Sequence, residues 1–286
     1  MKITNPVLTG FHADPSMIRV KDTYYIANST FEWFPGIRLH ESKDMVHWNT
    51  LRTPWREQLD MRGDPASGGV WAPDLSYADG RFWIVYSDVH IVNGAFKDVV
   101  NYLTTAEDIR GPWSKPLRLN GVGFDASLFH DDDGRKYLVQ QTWDHREYKH
   151  QFHGITLTEF DTATMRLKPE TARTIWMGDD VKLVEGPHLY KINGWYYLFC
   201  AEGGTVWTHQ ESVARSRTLD ELSFEASPTN PFITNFDIPG SYLQKQGHAR
   251  WWTPRPANGT TRRCAAARGI TRPSRSPTAR LVHAGA

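Results

Sequence analysis

Short runs of alternating apolar and polar residues, broken by tight turns, repeat along most of this chain. Four segments share one pattern: an acidic residue near a proline or alanine, an alternating run, a turn, and a second run rich in aromatic and β-branched residues. Such runs favour β-strands, and helical periodicity of useful length is nearly absent. We therefore predict strand–turn–strand units at residues 13–27, 72–86, 124–139 and 185–199.

The turns inside these units carry a signal of their own. Asp79-Gly80 and Asn193-Gly194 indicate hairpins, because a type I′ turn needs positive φ at both central residues. A further strand-like run and a tryptophan follow the hairpin at residues 37–48 and 102–113. The unit recurs roughly every 50 to 60 residues, a spacing typical of propeller blades. The chain is therefore predicted to be an all-β propeller.

Acidic residues stand where the repeated units begin. A propeller places the first residues of its innermost strands around one end of a central axis, so equivalent positions converge in space. In an alignment of the four units that position holds Asp14, Asp74, Asp125 and Glu185. Converging carboxylates repel one another and are poor choices for a buried strand. We interpret them as a functional site rather than as solvated turn residues.

Composition removes several classes of function. The formal net charge of the 286 residues is +1, which gives no general reason to expect nucleic acid or an anionic membrane as a partner. Cys200 and Cys264 are too few for a disulfide framework. No run is long and apolar enough to span a bilayer, and the first residues lack a signal-peptide core. The default expectation is a soluble, cytoplasmic protein.

Separated carboxylates suit glycoside hydrolysis. One protonated acid donates to the leaving oxygen, and one carboxylate activates water or attacks the sugar directly. A third carboxylate can keep the acid protonated by repulsion. Metal binding is the competing interpretation, but residues 131–134 (DDDG) lack the spacing of a calcium loop and are better explained as a hairpin turn. A serine nucleophile elbow is absent from the sequence.

The order of several motifs resembles glycoside hydrolase family 43, and in particular its β-xylosidase branch. The resemblance runs from about residue 3 to residue 249. It is carried by residues 5–16 (NPVLTGFHADPS), 24–36 (YYIANSTFEWFPG), 71–74 (WAPD), 124–129 (FDASLF), 185–188 (EGPH), 201–209 (AEGGTVWTH), 214–216 (ARS) and 247–249 (GHA).

This resemblance implies a five-bladed propeller and an inverting mechanism. Carried over by motif, Asp14 would be the general base, Glu185 the general acid, and Asp125 the residue that tunes and orients the acid. It further implies an exo-acting pocket for a terminal xylose of a xylo-oligosaccharide or arabinose-substituted oligosaccharide. The expected substrate-binding residues are Phe31, Trp71, Asp74, Trp143, Thr205 and His248. No cofactor is required, although some members hold a calcium ion in the central channel near the histidine that matches His248.

The chain departs from the family pattern after Ala249. Residues 250–286 contain no Asp, Glu or Lys and many Arg, Pro, Ala and Thr, and they show no strand or hairpin signal. We therefore expect a propeller domain at residues 1–249 with an incomplete fifth blade, followed by a basic tail outside the family that lacks fixed structure. We hypothesise that the reading frame was lost near residue 249; a second frame that encodes no fifth-blade sequence would contradict this. Activity would then be weak or absent.

Three other functions stay open on the sequence. An α-L-arabinofuranosidase would use the same carboxylates in a pocket of different shape. A carbohydrate-binding propeller without catalysis would fit the altered C-terminus but leaves the three carboxylates unexplained. A protein-interaction propeller would tolerate loss of Asp14.

Overall fold

The computed structural model of the chain describes residues 3–52, 55, 58–146, 151–238, 240–252, 264–271 and 277–283. Its fold is all-β. The strands are β1 (Ala13–Val20), β2 (Thr23–Ser29), β3 (Ile37–Ser42), β4 (Asn49–Thr50), β5 (Gly69–Ala78), β6 (Arg81–Val89), β7 (Val99–Ala106), β8 (Leu117–Asn120), β9 (Gly123–His130), β10 (Lys136–Trp143), β11 (Phe152–Asp161), β12 (Arg166–Leu167), β13 (Arg173–Trp176), β14 (Glu185–Ile192), β15 (Trp195–Glu202), β16 (Gln210–Ser216), β17 (Glu225–Ala226), β18 (Leu243–Trp252), β19 (Cys264–Thr271) and β20 (Pro277–His283).

Four antiparallel sheets form propeller blades. Their strand orders are β1-β2-β3-β4, β5-β6-β7-β8, β9-β10-β11-β12 and β14-β15-β16-β17, and β13 adds to the third sheet by pairing with β11. Each predicted strand–turn–strand unit supplies the two inner strands of one blade. The sequence-based prediction of an all-β propeller is confirmed.

A fifth sheet consists of three strands in the order β18-β19-β20. Two of them, β19 and β20, lie within the segment in which the sequence shows no strand signal. Pairing of backbone groups with the preceding strand stabilises a strand without help from side-chain alternation, which is why the pattern gave no indication of them. The domain boundary after residue 249 stays a prediction.

The innermost strands touch in sequence around the axis: β1 contacts β5, β5 contacts β9, β9 contacts β14, β14 contacts β18, and β18 contacts β1. The apolar core lies between neighbouring blades. Between the first two, for example, Leu39 and Leu75 pack with Trp55 and Trp113 in one cluster. The two tryptophan rings lie 4.6 Å apart between centroids. Sheet-to-sheet packing of this kind holds each inner strand at a fixed position around the axis.

The inner strands of the four blades, β1, β5, β9 and β14, contain the same β-bulge, and so does β18. In each, two residues of the strand lie opposite one residue of its partner; in β1 this occurs between Ala13 and Ser16, and the other four strands have it at the equivalent place. An extra residue bends a strand and re-aims its side chains. Each bulge contains one residue in the left-handed region of φ, and these residues are Asp14 (49°), Ala72 (40°), Asp125 (52°), Gly186 (56°) and His248 (53°).

The bulges show that the four acidic residues, which the sequence places at one equivalent position, occupy different positions in their strands. Asp14 and Asp125 occupy the bulge itself, whereas Glu185 precedes the bulge residue Gly186, and Asp74 lies two positions after Ala72. The four carboxylates are therefore not at one equivalent position. Neighbouring residues of a regular strand point to opposite faces, but at the bulge Glu185, just before the bulge residue, reaches the same cavity as Asp14 and Asp125, whereas Asp74 does not.

Candidate active site

A cavity of about 200 Å³ opens at the end of the axis where the inner strands begin. It collects seven of the nine residues that the sequence predicts for the site: Asp14, Phe31, Trp71, Asp125, Glu185, Thr205 and His248. The sequence did not single out the remaining lining residues, which are Val92, Phe124 and His209. Phe124 precedes a bulge residue as Trp71 does, but this equivalence becomes visible only when the bulge is known.

The three carboxylates come from three different blades. Asp14 begins the first blade, Asp125 the third and Glu185 the fourth, and Asp14 and Glu185 are each less than a tenth exposed. The backbone N–H of Gly186 donates to Oδ2 of Asp125 at 3.2 Å. Asp125 is thus bonded to the residue that follows Glu185, which fixes these two carboxylates relative to each other.

His248, on β18, forms an ion pair with Asp14 on the neighbouring strand β1, with Nδ1 lying 3.2 Å from Oδ1 of Asp14. Burial by itself lowers the pKa of His248, but the hydrogen bond and charge of Asp14, with Asp125 and Glu211, raise it to about 9. The imidazole is therefore protonated at neutral pH, and its charge favours the ionised form of Asp14.

Glu211 lies behind this pair and is fully buried. Its Oε2 accepts a hydrogen bond from the N–H of Ala249 at 2.9 Å. Burial raises the pKa of Glu211 to about 8, although the Ala249 N–H and the charge of His248 act in the opposite direction. This hydrogen bond attaches β18, the strand that carries His248, to the fourth blade at the level of the cavity.

A glycine at position 186 makes room for the histidine. A Cβ there would lie 2.8–3.0 Å from ring atoms of His248, closer than carbon atoms pack. The positive φ of 56° also disfavours any other L-residue. The Gly186 backbone therefore approaches the imidazole, while the same residue donates its N–H to Asp125.

Aromatic rings form one wall of the cavity. Trp71 meets Phe31 and Phe124 edge-to-face, at centroid distances of 6.5 and 5.4 Å. Nε1 of Trp71 donates to the carbonyl oxygen of Ser67 at 2.8 Å, which fixes the ring plane. Flat apolar surfaces of this kind suit the C–H face of a sugar ring.

Trp143 does not line the cavity. It packs behind Phe124, at a centroid distance of 6.1 Å, and its Nε1 donates to the carbonyl oxygen of Ala95 at 2.9 Å. Nζ of Lys97 lies 4.5 Å from the centre of its ring. Burial lowers the pKa of Lys97, and the negative charge of Glu185 opposes that shift. Lys97 thus adds a cation near the site that no sequence motif indicated.

Asp74 lies one layer deeper along the axis than the cavity. Its carboxylate pairs with Arg250, lies 3.6 Å from Nδ1 of His188, and accepts a hydrogen bond from the N–H of Leu128 at 3.0 Å. These contacts link the inner strands of several blades. The position of Asp74 therefore fits a structural role and does not support the expected contact with substrate.

The residues around His248 fit a calcium ion poorly. Nδ1 of His248 is already paired with Asp14, and an imidazole offers calcium a nitrogen rather than an oxygen ligand. Calcium also prefers six to eight oxygen ligands. No cluster of three metal-ligating side chains within the described residues includes His248. The calcium site stays a prediction.

Comparison with known proteins places this geometry in a family. Residues 3–269 match the family described as glycosyl hydrolases family 43. The chain belongs to glycosyl hydrolase family 43. This family 43 chain is 54% identical over 253 residues to a beta-xylosidase of Bacillus subtilis, covering 87% of this chain and 47% of that protein. The match to the family extends past the domain boundary predicted after residue 249.

Two further relatives carry related names. A non-reducing end alpha-L-arabinofuranosidase of Bacteroides ovatus is 34% identical over 271 residues, covering 89% of this chain and 48% of that protein. The crystal structure of a xylan beta-1,4-xylosidase from Bacillus halodurans superposes with a TM-score of 0.91 at 47% identity, covering 98% of this chain and 54% of that one. This family 43 chain spans about half the length of these relatives.

The described part of the chain contains no helix with the length and apolar character needed to cross a bilayer.

The charge on His248 predicts how stability depends on pH. The folded protein keeps the proton up to a pKa of about 9, whereas the unfolded chain releases it near 6.5, so the free energy of unfolding should fall as pH rises between these values. Glu211, with a pKa of about 8 against 4.5, acts in the same direction from lower pH. Urea unfolding at pH 6, 7.5 and 9 should show a flatter decline for His248→Asn. The exposed His145→Asn variant is the control and should keep the wild-type slope; parallel slopes for all three proteins would contradict the assignment.

The close approach of Gly186 to His248 predicts a second effect. Gly186→Ala and Gly80→Ala both place alanine at positive φ, 56° and 76°, which costs roughly 1–2 kcal/mol. An added Cβ at Gly80 has nothing within 4 Å, whereas one at Gly186 meets the imidazole. Urea denaturation should therefore show a loss for Gly186→Ala that exceeds the loss for Gly80→Ala by about 1–3 kcal/mol. Equal losses would mean that the imidazole moves aside at no cost.

Proposed function

We propose that this chain carries the catalytic domain of an inverting exo-glycosidase that releases xylose from the non-reducing ends of xylo-oligosaccharides. One observation carries the proposal: Asp14, Asp125 and Glu185 reach a single aromatic-lined cavity from three blades. Family 43 membership and the names of the relatives support it.

The proposed roles follow from the environment of each carboxylate. Asp14, kept ionised by the protonated His248, removes a proton from water as the water oxygen bonds to the anomeric carbon. Glu185 gives its proton to the glycosidic oxygen as the carbon–oxygen bond breaks. Asp125 orients the acid through the hydrogen bond from Gly186, and its negative charge favours the protonated form of Glu185.

The size of the cavity supports action at a chain end. Its volume of about 200 Å³ is below the roughly 300–1,000 Å³ of sites that take drug-sized ligands. A single terminal sugar is the ligand that this space suits, with Trp71 and Phe124 against its apolar face. The next sugar would extend outward past Lys97, whose ammonium group lies between the Trp71 and Trp143 rings.

We also propose that β18–β20 form the fifth blade of the propeller. Two features support this: β18 contacts both β14 and β1, and it carries the same bulge as the other inner strands, with His248 at the bulge position. Within the described residues its sheet has three strands, where the others have four or five; that the blade is incomplete stays a prediction.

An α-L-arabinofuranosidase is the second candidate, because the name of the Bacteroides ovatus relative describes that activity. Both functions would use the same carboxylates. Paired assays with 4-nitrophenyl β-D-xyloside and 4-nitrophenyl α-L-arabinofuranoside decide between them: the main proposal predicts the higher kcat/KM on the xyloside. A higher value on the arabinofuranoside would favour the second candidate.

The assignment of acid and base predicts different responses to the leaving group. Glu185→Gln should lower kcat on xylobiose by about 10²–10⁴-fold, but far less on 2,4-dinitrophenyl β-D-xyloside, whose leaving group needs no proton. Asp14→Asn should lose about 10²–10⁴-fold on both substrates, because water activation is common to both. Asp22→Asn, in the exposed β1–β2 turn, is the control and should match the wild type.

Two results would contradict this assignment. If Glu185→Gln lost kcat equally on both substrates, Glu185 would not be the acid. If the folded wild-type chain bound xylobiose but did not hydrolyse it, a carbohydrate-binding propeller would be favoured. Proton NMR of the first product should show α-xylose from a β-xyloside; β-xylose would exclude inversion.

A further inference from the structure

Three metal-ligating side chains meet beside the second blade, away from the three carboxylates of the cavity. Asp64 precedes β5, Asp88 lies near the end of β6, and His90 follows that strand. One ligand atom from each lies within 4.8 Å of the others. Nδ1 of His90 is 3.1 Å from Oδ1 of Asp64, and Nε2 of His90 is 3.4 Å from Oδ2 of Asp88.

A buried carboxylate oxygen in this cluster has no hydrogen-bond partner. The Asp64 side chain is only 2% exposed, and its Oδ2 is unpartnered within the described residues. Leaving a buried carboxylate oxygen unsatisfied is costly. The similarly buried Asp131 shows the usual solution: its two oxygens accept bonds from Lys191 and the Tyr196 hydroxyl. Asp64 lacks an equivalent donor at Oδ2.

The local charge is strongly negative. Besides the two carboxylates of the cluster, the negative charges of Asp60 and Asp98 act on Asp88, against the single imidazole of His90. Asp60 already has a partner in Arg62, at 2.7 Å. A bound cation would offset the remaining repulsion and satisfy the second oxygen of Asp64.

We propose that Asp64, Asp88 and His90 form a site for a divalent transition-metal ion. Two carboxylates and one imidazole are ligands that Zn²⁺ and Mn²⁺ accept, whereas Ca²⁺ prefers more oxygen ligands. The Asp88 and His90 side chains are 19% and 42% exposed, so water can complete the coordination shell. The proposal does not depend on the proposed function, since binding is measured without turnover.

The site would connect the loop that holds Trp71, in the aromatic wall of the cavity, to the loop that holds Trp143, which packs behind Phe124 of that wall. The first, residues 58–68, carries Asp64 and also Ser67, whose carbonyl oxygen accepts the Trp71 indole. The second, residues 90–98, carries His90 and also Ala95, whose carbonyl oxygen accepts the Trp143 indole. A metal bound here would act as a positioning element: Asp64 and His90 come from the two loops and Asp88 from β6, and none of the three lines the cavity.

Metal binding to the full-length chain tests this proposal. After chelator treatment and dialysis, isothermal titration should show one Zn²⁺ or Mn²⁺ per chain and a higher Tm with metal, and Ca²⁺ should bind at least tenfold more weakly. Hydrogen exchange in residues 61–68 and 90–98 should slow when metal is added. A free site that binds neither Zn²⁺ nor Mn²⁺ overturns the proposal and leaves the His90 imidazole alone as the link between the two carboxylates.

Matched variants identify the ligands. Asp64→Asn keeps the shape of the side chain and should weaken Zn²⁺ binding at least tenfold. His90→Gln should do the same, and because this side chain is 42% exposed the variant should remain folded. Asp60→Asn, in the same loop but outside the trio and 64% exposed, should bind as the wild type does. Equal Zn²⁺ affinity in all four proteins would show binding elsewhere on the chain and overturn the proposal.

Discussion

One backbone feature determines where the chemistry of this molecule is located: the β-bulge near the start of each innermost strand. An extra residue in left-handed conformation turns the strand at the same level in all five sheets. A regular strand would alternate its side chains between the two faces of the sheet. The bulge instead directs Asp14, Asp125 and His248 toward the axis. Left-handed backbone costs energy for residues other than glycine, and the surrounding sheets, which pack on both sides, maintain it.

Below the cavity, a second layer of polar residues locks the inner strands together. Its members lie two positions after the left-handed residue of each bulge. They are Ser16, Asp74, Ser127, His188 and Arg250. Several hydrogen bonds in this layer cross between blades. The Leu75 N–H donates to Oγ of Ser16 at 2.8 Å, and the Ser127 hydroxyl donates to the Pro187 carbonyl oxygen at 2.6 Å. The layer therefore fixes the strand starts, and the cavity above it receives side chains in fixed positions, which catalysis requires.

The sequence predicted the blades and most of the cavity because those signals are local. The turn glycines Gly80 and Gly194 mark the hairpins, and both have positive φ in the structure. The bulge was not predictable from alternation, since it adds one residue without changing composition, and this is why Asp74 was aligned with Asp14. Lys97 reaches the site from the loop between β6 and β7, and no spacing rule connects it to Glu185. The Ala- and Arg-rich sequence of β19 and β20 has no alternating pattern, and this is why it did not predict these strands.

The most direct test is a crystal structure of the Asp14→Asn chain with xylobiose bound. We expect the non-reducing xylose to fill the cavity against Trp71, with its anomeric carbon between residue 14 and Glu185 and the glycosidic oxygen within hydrogen-bond distance of Glu185. The Asp125 carboxylate should keep its hydrogen bond from Gly186. Xylobiose bound outside this cavity at saturating concentration, or with its glycosidic bond turned away from Glu185, would contradict the claim that the bulges direct these carboxylates onto one sugar.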